Sequence, residues 1–318
     1  MTRVACIGEC MIELKQAQGD SQGGLFSRAF GGDTLNTAVY LARLGVEVDY
    51  ITALGDDPMS DEMIASWAAE GVGTSRVARL KGKLPGIYMI QTDEFGDRRF
   101  FHWRDSSAAR SLMDLPETDD SLDSLAAYDV VYLSAITLSI YSAPGRAKLI
   151  GALNRARKRG ARIVFDTNYR ARGWPDPDAA RAVFDEAFAA SDVVLASTED
   201  LLPLYPYESD EQLMERIPCS EAVLKRLQPG SIVRFEGVSR EVSAEPVTRP
   251  VVDTTAAGDS FSAAYIAARL GGAEPAEAAR AGHRLGGVVV CYPGAIIPRS
   301  AMPPNTLSDP APSRKASR

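Results

Sequence analysis

Residues 253–261, Asp-Thr-Thr-Ala-Ala-Gly-Asp-Ser-Phe, put three small residues and a carboxylate at the mouth of an apolar helical pattern. The pattern runs through Phe261, Ala264, Tyr265, Ala268 and Leu270 to a stop at Gly271-Gly272. Ala256, Ala257 and Gly258 have no bulk to keep a ligand from their backbone N–H groups. A helix N-terminus offers free donors and partial positive charge, so the stretch reads as an anion site with a base, Asp259, in its first turn. Two other readings compete. Asp253 or Thr255 could simply cap the helix, but capping requires neither Ala-Ala-Gly at the entrance nor an acid just inside it. Gly258-Asp259-Ser260 also has the form of a hydrolase nucleophile motif, which needs a His base. The chain has two histidines, His102 and His283, and neither lies in an Asp-x-x-His arrangement, so the hydrolase reading fails.

Working outward, 318 residues suffice for one large α/β core, or a core with a small appendage. A net charge of −7, with charges interspersed rather than blocked, argues against a nucleic-acid or membrane-surface partner, which would want a basic face. A phosphorylated or carboxylated small molecule needs only a few local Arg or Lys residues. No apolar run approaches the roughly 20 residues of a membrane span, and Met1 to Ala5 enters a strand-like run with no signal-peptide core. A cytoplasmic protein is expected. Cys6, Cys10, Cys219 and Cys291 have neither CxxC spacing nor His neighbours, so they read as core or near-surface thiols rather than zinc ligands or disulfides.

Val4 to Ile7 reads as a buried strand, Asp33 to Leu44 as a helix with Asp33 as its N-cap and Gly45 as its stop, and Val48 to Leu54 as a second strand. Strand-like runs at Val130 to Leu133, Arg162 to Phe165 and Val193 to Leu195 alternate with helical patterns at Ala147 to Lys158 and Asp178 to Ala189. Such alternation predicts a parallel sheet covered on both faces, with the carboxyl ends of the strands at one ligand-binding edge. Met11 to Leu14, and Gly86 to Gln91 with Arg98 to Trp103 across a turn at Glu94 to Asp97, lack intervening helices. They predict a small, mostly antiparallel sheet acting as a lid, built from about 10–30 and 85–105. The alternative makes them edge strands of the main sheet. A sheet so small rarely stands alone, so lid-to-lid pairing in a homo-oligomer is expected. Residues 303–318 are Pro/Ser-rich without periodicity and read as a disordered tail, leaving 1–302 as the folded unit.

Neither G-x-x-x-x-G-K-[ST] nor G-x-G-x-x-G after the first strand occurs, so the P-loop and dinucleotide fingerprints are both missing. Instead Gly31-Gly32-Asp33 opens the early helix and the 253–261 stretch opens a late one. In-line phosphoryl transfer needs donors on the moving group and a base for the acceptor hydroxyl, and the late turn alone supplies both. Taken with Gly8-Glu9, Gly31-Gly32-Asp33-Thr34-Leu35-Asn36, Gly55-Asp56-Asp57, Asp166-Thr167-Asn168-Tyr169-Arg170 and Gly294 to Pro298, the chain resembles the ribokinase-like (PfkB) family of carbohydrate kinases from Cys6 to Met302. Within that family it is most similar to the branch acting on 2-keto-3-deoxygluconate. The resemblance implies a three-layer α/β/α ribokinase-like fold with a mostly parallel sheet and a small β lid.

It also implies roles. Asp259 is then the base that takes the proton from a terminal hydroxyl attacking the γ-phosphate of ATP, giving a 6-phosphate, and Ala256, Ala257 and Gly258 form the anion hole. Sugar contacts fall to Gly32, Asn36, Tyr88, His102, Arg104 and Arg170; the arginine forks suit the carboxylate of an acidic sugar. Nucleotide contacts fall to Ser197, Lys225, Gly230, Gly258 and His283. Magnesium is expected with ATP, organised through water by Asp200. Asp253, Thr255 and the 291–294 segment match where relatives hold a potassium ion. Three departures stand out: His102 replaces a tyrosine two residues before the lid arginine, Ser197 and Asp200 stand at the ends of what is usually N-x-x-E, and Leu227 occupies a glycine position in the nucleotide strand. Two further readings remain open: a kinase for fructose or another sugar or keto-deoxy acid, and a non-catalytic sugar or nucleotide sensor on the same fold.

Overall fold

Short runs of β-branched and apolar residues build the main sheet of the computed structural model, which describes residues 2–16, 24–92, 98–116 and 118–304. Strands are numbered in chain order. β1 (Arg3–Ile7), β4 (Glu47–Gly55), β5 (Val77–Leu80), β8 (Val130–Ser134), β9 (Arg162–Asp166), β10 (Val193–Ser197) and β11 (Glu221–Lys225) are parallel. β12 (Gly230–Phe235) and β13 (Val238–Ser243) extend one edge as antiparallel strands. The order is β13-β12-β11-β10-β9-β8-β1-β4-β5.

Central strands are apolar throughout because both faces are covered. In β1, Ala5 and Ile7 join a core with Leu149, Leu153 and Phe184 from the helices Ala143–Lys158 and Pro177–Ala190. Val4 and Cys6, pointing the other way by the two-residue period of a strand, join a second core with Leu41, Trp67, Tyr265 and Leu285. These come from the helices Asp33–Arg43, Pro58–Ala69, Ala257–Leu270 and Pro275–Val289. The result is the expected α/β/α sandwich.

A separate sheet of β2 (Met11–Gln16), β3 (Phe26–Gly31), β6 (Ile87–Thr92) and β7 (Arg98–Trp103) has the order β3-β2-β6-β7. β2 and β6 are parallel and the outer pairs antiparallel, so these strands are not edge strands of the main sheet. The turn expected at Glu94 to Asp97, and 305–318 of the expected tail, lie outside the described residues. Among the described residues no helix is long and apolar enough to cross a membrane, and the four cysteines are unpaired thiols.

Two helix starts differ from expectation. Gly32, not Asp33, is the N-cap of the early helix, and no side chain caps it. Asp33 lies in the first turn, its carboxylate accepting from Asn168 Nδ2 at 2.8 Å. In the late helix Ala256 is the N-cap, again with no side-chain cap; Asp253 and Thr255 bond to each other instead. Both helix mouths therefore keep donors available at the carboxyl edge of the sheet.

Candidate active site

The turn before the late helix is held from behind. Asp253 Oδ1 accepts from Thr255 N at 3.0 Å and Thr255 Oγ1 at 2.6 Å, while Oδ2 accepts from Gly294 N at 3.1 Å. The chain then passes through Ala256 at φ 61, ψ 14, the left-handed region that costs a non-glycine residue about 1 kcal/mol or more. That local strain turns the helix mouth, with its uncapped first turn, toward the sheet edge. Lys225, at the end of β11, stands over the same turn: a Cβ placed on Gly258 would lie 3.6 Å from its Nζ.

Asp259 sits inside this turn. Asn36 Nδ2 donates to Asp259 Oδ2 at 2.8 Å, and the Thr37 hydroxyl lies 3.2 Å from the Asp259 carbonyl oxygen, so the early helix grips the late one. Burial first, and the neighbouring carboxylates of Asp33 and Asp166, push the Asp259 carboxyl up to about 8, against the opposing pull of Asn36 and Lys225. Asp33 is raised too, again mainly by burial. A carboxyl so placed is a proton acceptor poised near neutral pH. Asn36 Oδ1 is buried with no partner among the described residues, which leaves one acceptor for an incoming hydroxyl. Asp166 Oδ2 collects Ser262 Oγ at 2.7 Å, the Tyr132 hydroxyl at 3.3 Å and Lys225 Nζ at 3.5 Å.

The small sheet brings most of the expected sugar residues to this edge. Gly32 packs so closely on the loop after β1 that a Cβ there would fall 2.3 Å from the Glu9 carbonyl oxygen. Tyr88, on β6, donates its hydroxyl to Glu13 on β2 and stacks with the His102 ring, with centroids 5.9 Å apart. Desolvation, then Arg104 and Arg172, hold His102 below its usual range, so it is neutral at pH 7. Arg104 donates to the buried carboxylate of Glu9, which also accepts from the Ser107 hydroxyl; Arg104 Nε is buried without a partner among the described residues. Arg170 bonds Asp200 Oδ1 at 3.2 Å and its neighbour's carbonyl, its side chain otherwise open to solvent. Two residues on, Arg172 Nη1 donates to the Phe100 carbonyl of β7 at 3.1 Å, joining the Arg170 loop to the small sheet.

The expected nucleotide residues form the other flank. Gly230, at φ 146, starts β12 with its carbonyl accepting from Arg226 N at 3.0 Å. A Cβ there would meet the Val242 carbonyl at 3.0 Å, so glycine suits the tight exit from β11. The next residue, Ser231, bonds His283 Nε2 at 2.9 Å, and the His283 ring meets Phe261 edge-on at 4.9 Å. Burial, with a smaller contribution from Lys225, lowers His283 to about 4. Lys225, Gly230, Gly258 and His283 thus come together. Leu227 projects from the hairpin, 68% exposed. Ser197 lies beside Lys225 across the β10–β11 pair, its hydroxyl donating to Asp200 at 2.7 Å.

Asp200 does not suit the metal role expected of it. Its Oδ1 accepts from Tyr169 N and Arg170 Nη1 and its Oδ2 from Thr167 Oγ1 and Ser197 Oγ, filling the four lone-pair sites of a carboxylate. It positions the Arg170 loop instead. Among the described residues no group of three or more His, Cys, Asp or Glu is placed to hold a metal ion. Sequence reasoning missed Glu9, Glu13, Asp33 and Asp166 as partners of site residues. A signal existed for two of them, since Glu9 and Asp166 end or follow strands at the ligand-binding edge.

An α/β/α sandwich, a helix mouth suited to phosphate and a half-buried carboxyl beside it are what phosphoryl transfer requires, and comparison with known proteins shows a kinase family. The chain belongs to the pfkB family of carbohydrate kinases, whose model matches residues 1–302. It is 42% identical over 309 residues to the 2-dehydro-3-deoxygluconokinase of Dickeya dadantii, covering 94% of this chain and 98% of that protein. It is 39% identical over 310 residues to the enzyme of the same name from Escherichia coli K12, covering 95% and 99%. Among solved structures, fructokinase with bound ATP from Xylella fastidiosa superposes with a TM-score of 0.80 at 22% identity, covering 95% of each chain, a likeness of fold.

Proposed function

We propose that this chain phosphorylates the terminal hydroxyl of 2-keto-3-deoxygluconate (2-dehydro-3-deoxygluconate) with ATP, giving the 6-phosphate. The observation that carries the reading is Asp259: a half-buried carboxyl raised to about 8, held by Asn36 beside the uncapped mouth of the late helix. The hydroxyl oxygen forms the new bond to the γ-phosphorus as the bond to the β-phosphate oxygen breaks, its proton passes to Asp259, and ADP leaves. Ala256 and Gly258 offer their amides to the equatorial oxygens of the moving group, with the Lys225 ammonium adjacent, whereas the Ala257 amide, expected in the same hole, donates to the Thr254 carbonyl at 3.2 Å and closes the turn. Magnesium enters with ATP as the counter-ion of its phosphates.

Arg170 and the unpartnered Nε of Arg104 are the donors offered to the sugar carboxylate, with Tyr88 and His102 stacked on each other in the strands that lead to Arg104. Names of the relatives support that substrate. A neutral sugar such as fructose is the second reading, favoured by one observation: Arg104 is already neutralised by Glu9. A coupled ADP-release assay on the keto-deoxy acid and on hexoses decides, and faster turnover on fructose would overturn the first reading. The reading includes a cytoplasmic location and a homo-oligomer formed through the lid, whose edge strand exposes Phe100, Phe101 and Trp103. A monomer in light scattering would remove the oligomer.

A further inference from the structure

The carboxylate that matches a potassium site already has partners and a cation of its own. Both oxygens of the Asp253 carboxylate are engaged: Oδ1 by the Thr255 amide and hydroxyl, Oδ2 by the Gly294 amide and by Lys15 Nζ at 3.5 Å. Three hydrogen-bond donors and an ammonium therefore already surround the carboxylate. The Asp253 side chain is 2% exposed, and a buried carboxylate needs a positive partner to remain ionised at little cost.

Lys15 is well anchored to supply that charge. It lies in β2 between Ser27 of β3 and Ile90 of β6, and its side chain is 25% exposed. Glu13 shares its face of the strand by the two-residue period and accepts from the Tyr88 hydroxyl. One strand of the lid thus touches both a sugar-side residue and the root of the phosphate-binding turn.

We infer that the Lys15 ammonium is the resident cation of the 253–256 turn, so that phosphoryl transfer needs no bound monovalent ion. This rests on the kinase reading above. Lys15 is a positioning residue: it neutralises Asp253, which holds Thr255 and Gly294 and so sets the left-handed Ala256 and the open helix mouth.

The test compares the wild type with Lys15→Met, which keeps the apolar stem, in choline chloride buffers with KCl exchanged in at constant ionic strength. Turnover on 2-keto-3-deoxygluconate and the melting temperature are read together. The wild type should be insensitive to potassium by both measures. Lys15→Met should lose about tenfold or more in turnover and melt several degrees lower in choline, as expected when a buried carboxylate loses an ammonium beside it, and recover both in KCl. Activation of the wild type by potassium would overturn the inference. So would a variant that stays like the wild type in choline, or one that no potassium concentration restores. Should no sugar be phosphorylated, the kinase reading fails, while the melting comparison still decides the role of Lys15.

Discussion

Replacing Asp259 by asparagine removes the proposed base and a desolvated acid together, and the two losses have opposite signs. As a base, Asp259 supplies on the order of 10²–10⁴ in rate, so turnover should fall by at least that much while sugar and ATP still bind. Stability should rise. The ordinary value of the group is 3.8 and its folded value is about 8. Below about pH 4 both folded and unfolded chains carry the proton and the site costs nothing by this route. As the pH climbs toward 8 the unfolded chain ionises and the folded chain does not, so stability drains away across that window and levels off above it. At roughly 1.4 kcal/mol per unit, less the shortfall where each end of the window nears a pKa, the loss between about pH 5 and about pH 8 is about 3.5 kcal/mol. The amide of the Asp259→Asn variant titrates nowhere, so its melting advantage over the wild type should grow by about 5 °C between those pH values for a chain of this size. Paired thermal melts at about pH 5, 6.5 and 8, with single-turnover kinetics, check both halves. Near-normal turnover refutes the base assignment, and a pH-independent melting difference refutes the argument from burial.

The same raised carboxyl requires kcat/KM of the free enzyme to rise with pH and level off near 8, because the base works only when unprotonated; a profile already flat from about pH 5.5 would contradict it. Arg170→Ala should raise the KM for acidic sugars more than for ATP with little change in stability, since its side chain is 62% exposed and its partner Asp200 keeps three other donors. Arg104→Ala should raise the same KM and also destabilise by about 3 kcal/mol in urea melts, because the buried Glu9 loses its charge partner; equal melts for the two variants would show that Glu9 is not so held. Glu221→Ala, far from the sugar residues, should cost about 3 kcal/mol in the same melts while leaving both KM values unchanged. There the buried carboxylate gathers Arg162, Arg269 and the Tyr265 hydroxyl.

Periodicity made the parallel strands and the covering helices legible, because strands buried on both faces must be apolar and their crossovers must be amphipathic. β1, β9 and β10 fall where the apolar runs stand. The helix Pro58–Ala69 was overlooked although Asp57 caps it and Pro58 opens it, and the helix Pro275–Val289 and the β12–β13 pair were passed over in the same way. Asp33 looked like a cap because an acid before an apolar period usually is one. The close approach of Gly32 to the Glu9 backbone moves the helix start back a residue and turns Asp33 toward Asn168.

By itself the sequence determined the layered α/β class, the phosphate-suited mouth at Ala256 to Gly258 with Asp259 inside it, and the absence of other nucleotide fingerprints, since these follow from residue size, periodicity and local helix chemistry. Only the tertiary structure decided what each charged group faces. It paired Arg104 with Glu9, filled Asp200 with four donors, set Lys15 on Asp253 and brought Asp259 close to Asp33 and Asp166. Those partners come from strands and helices far apart in the chain, and the energy of a charge depends on its burial and its neighbours in space rather than on its neighbours in sequence.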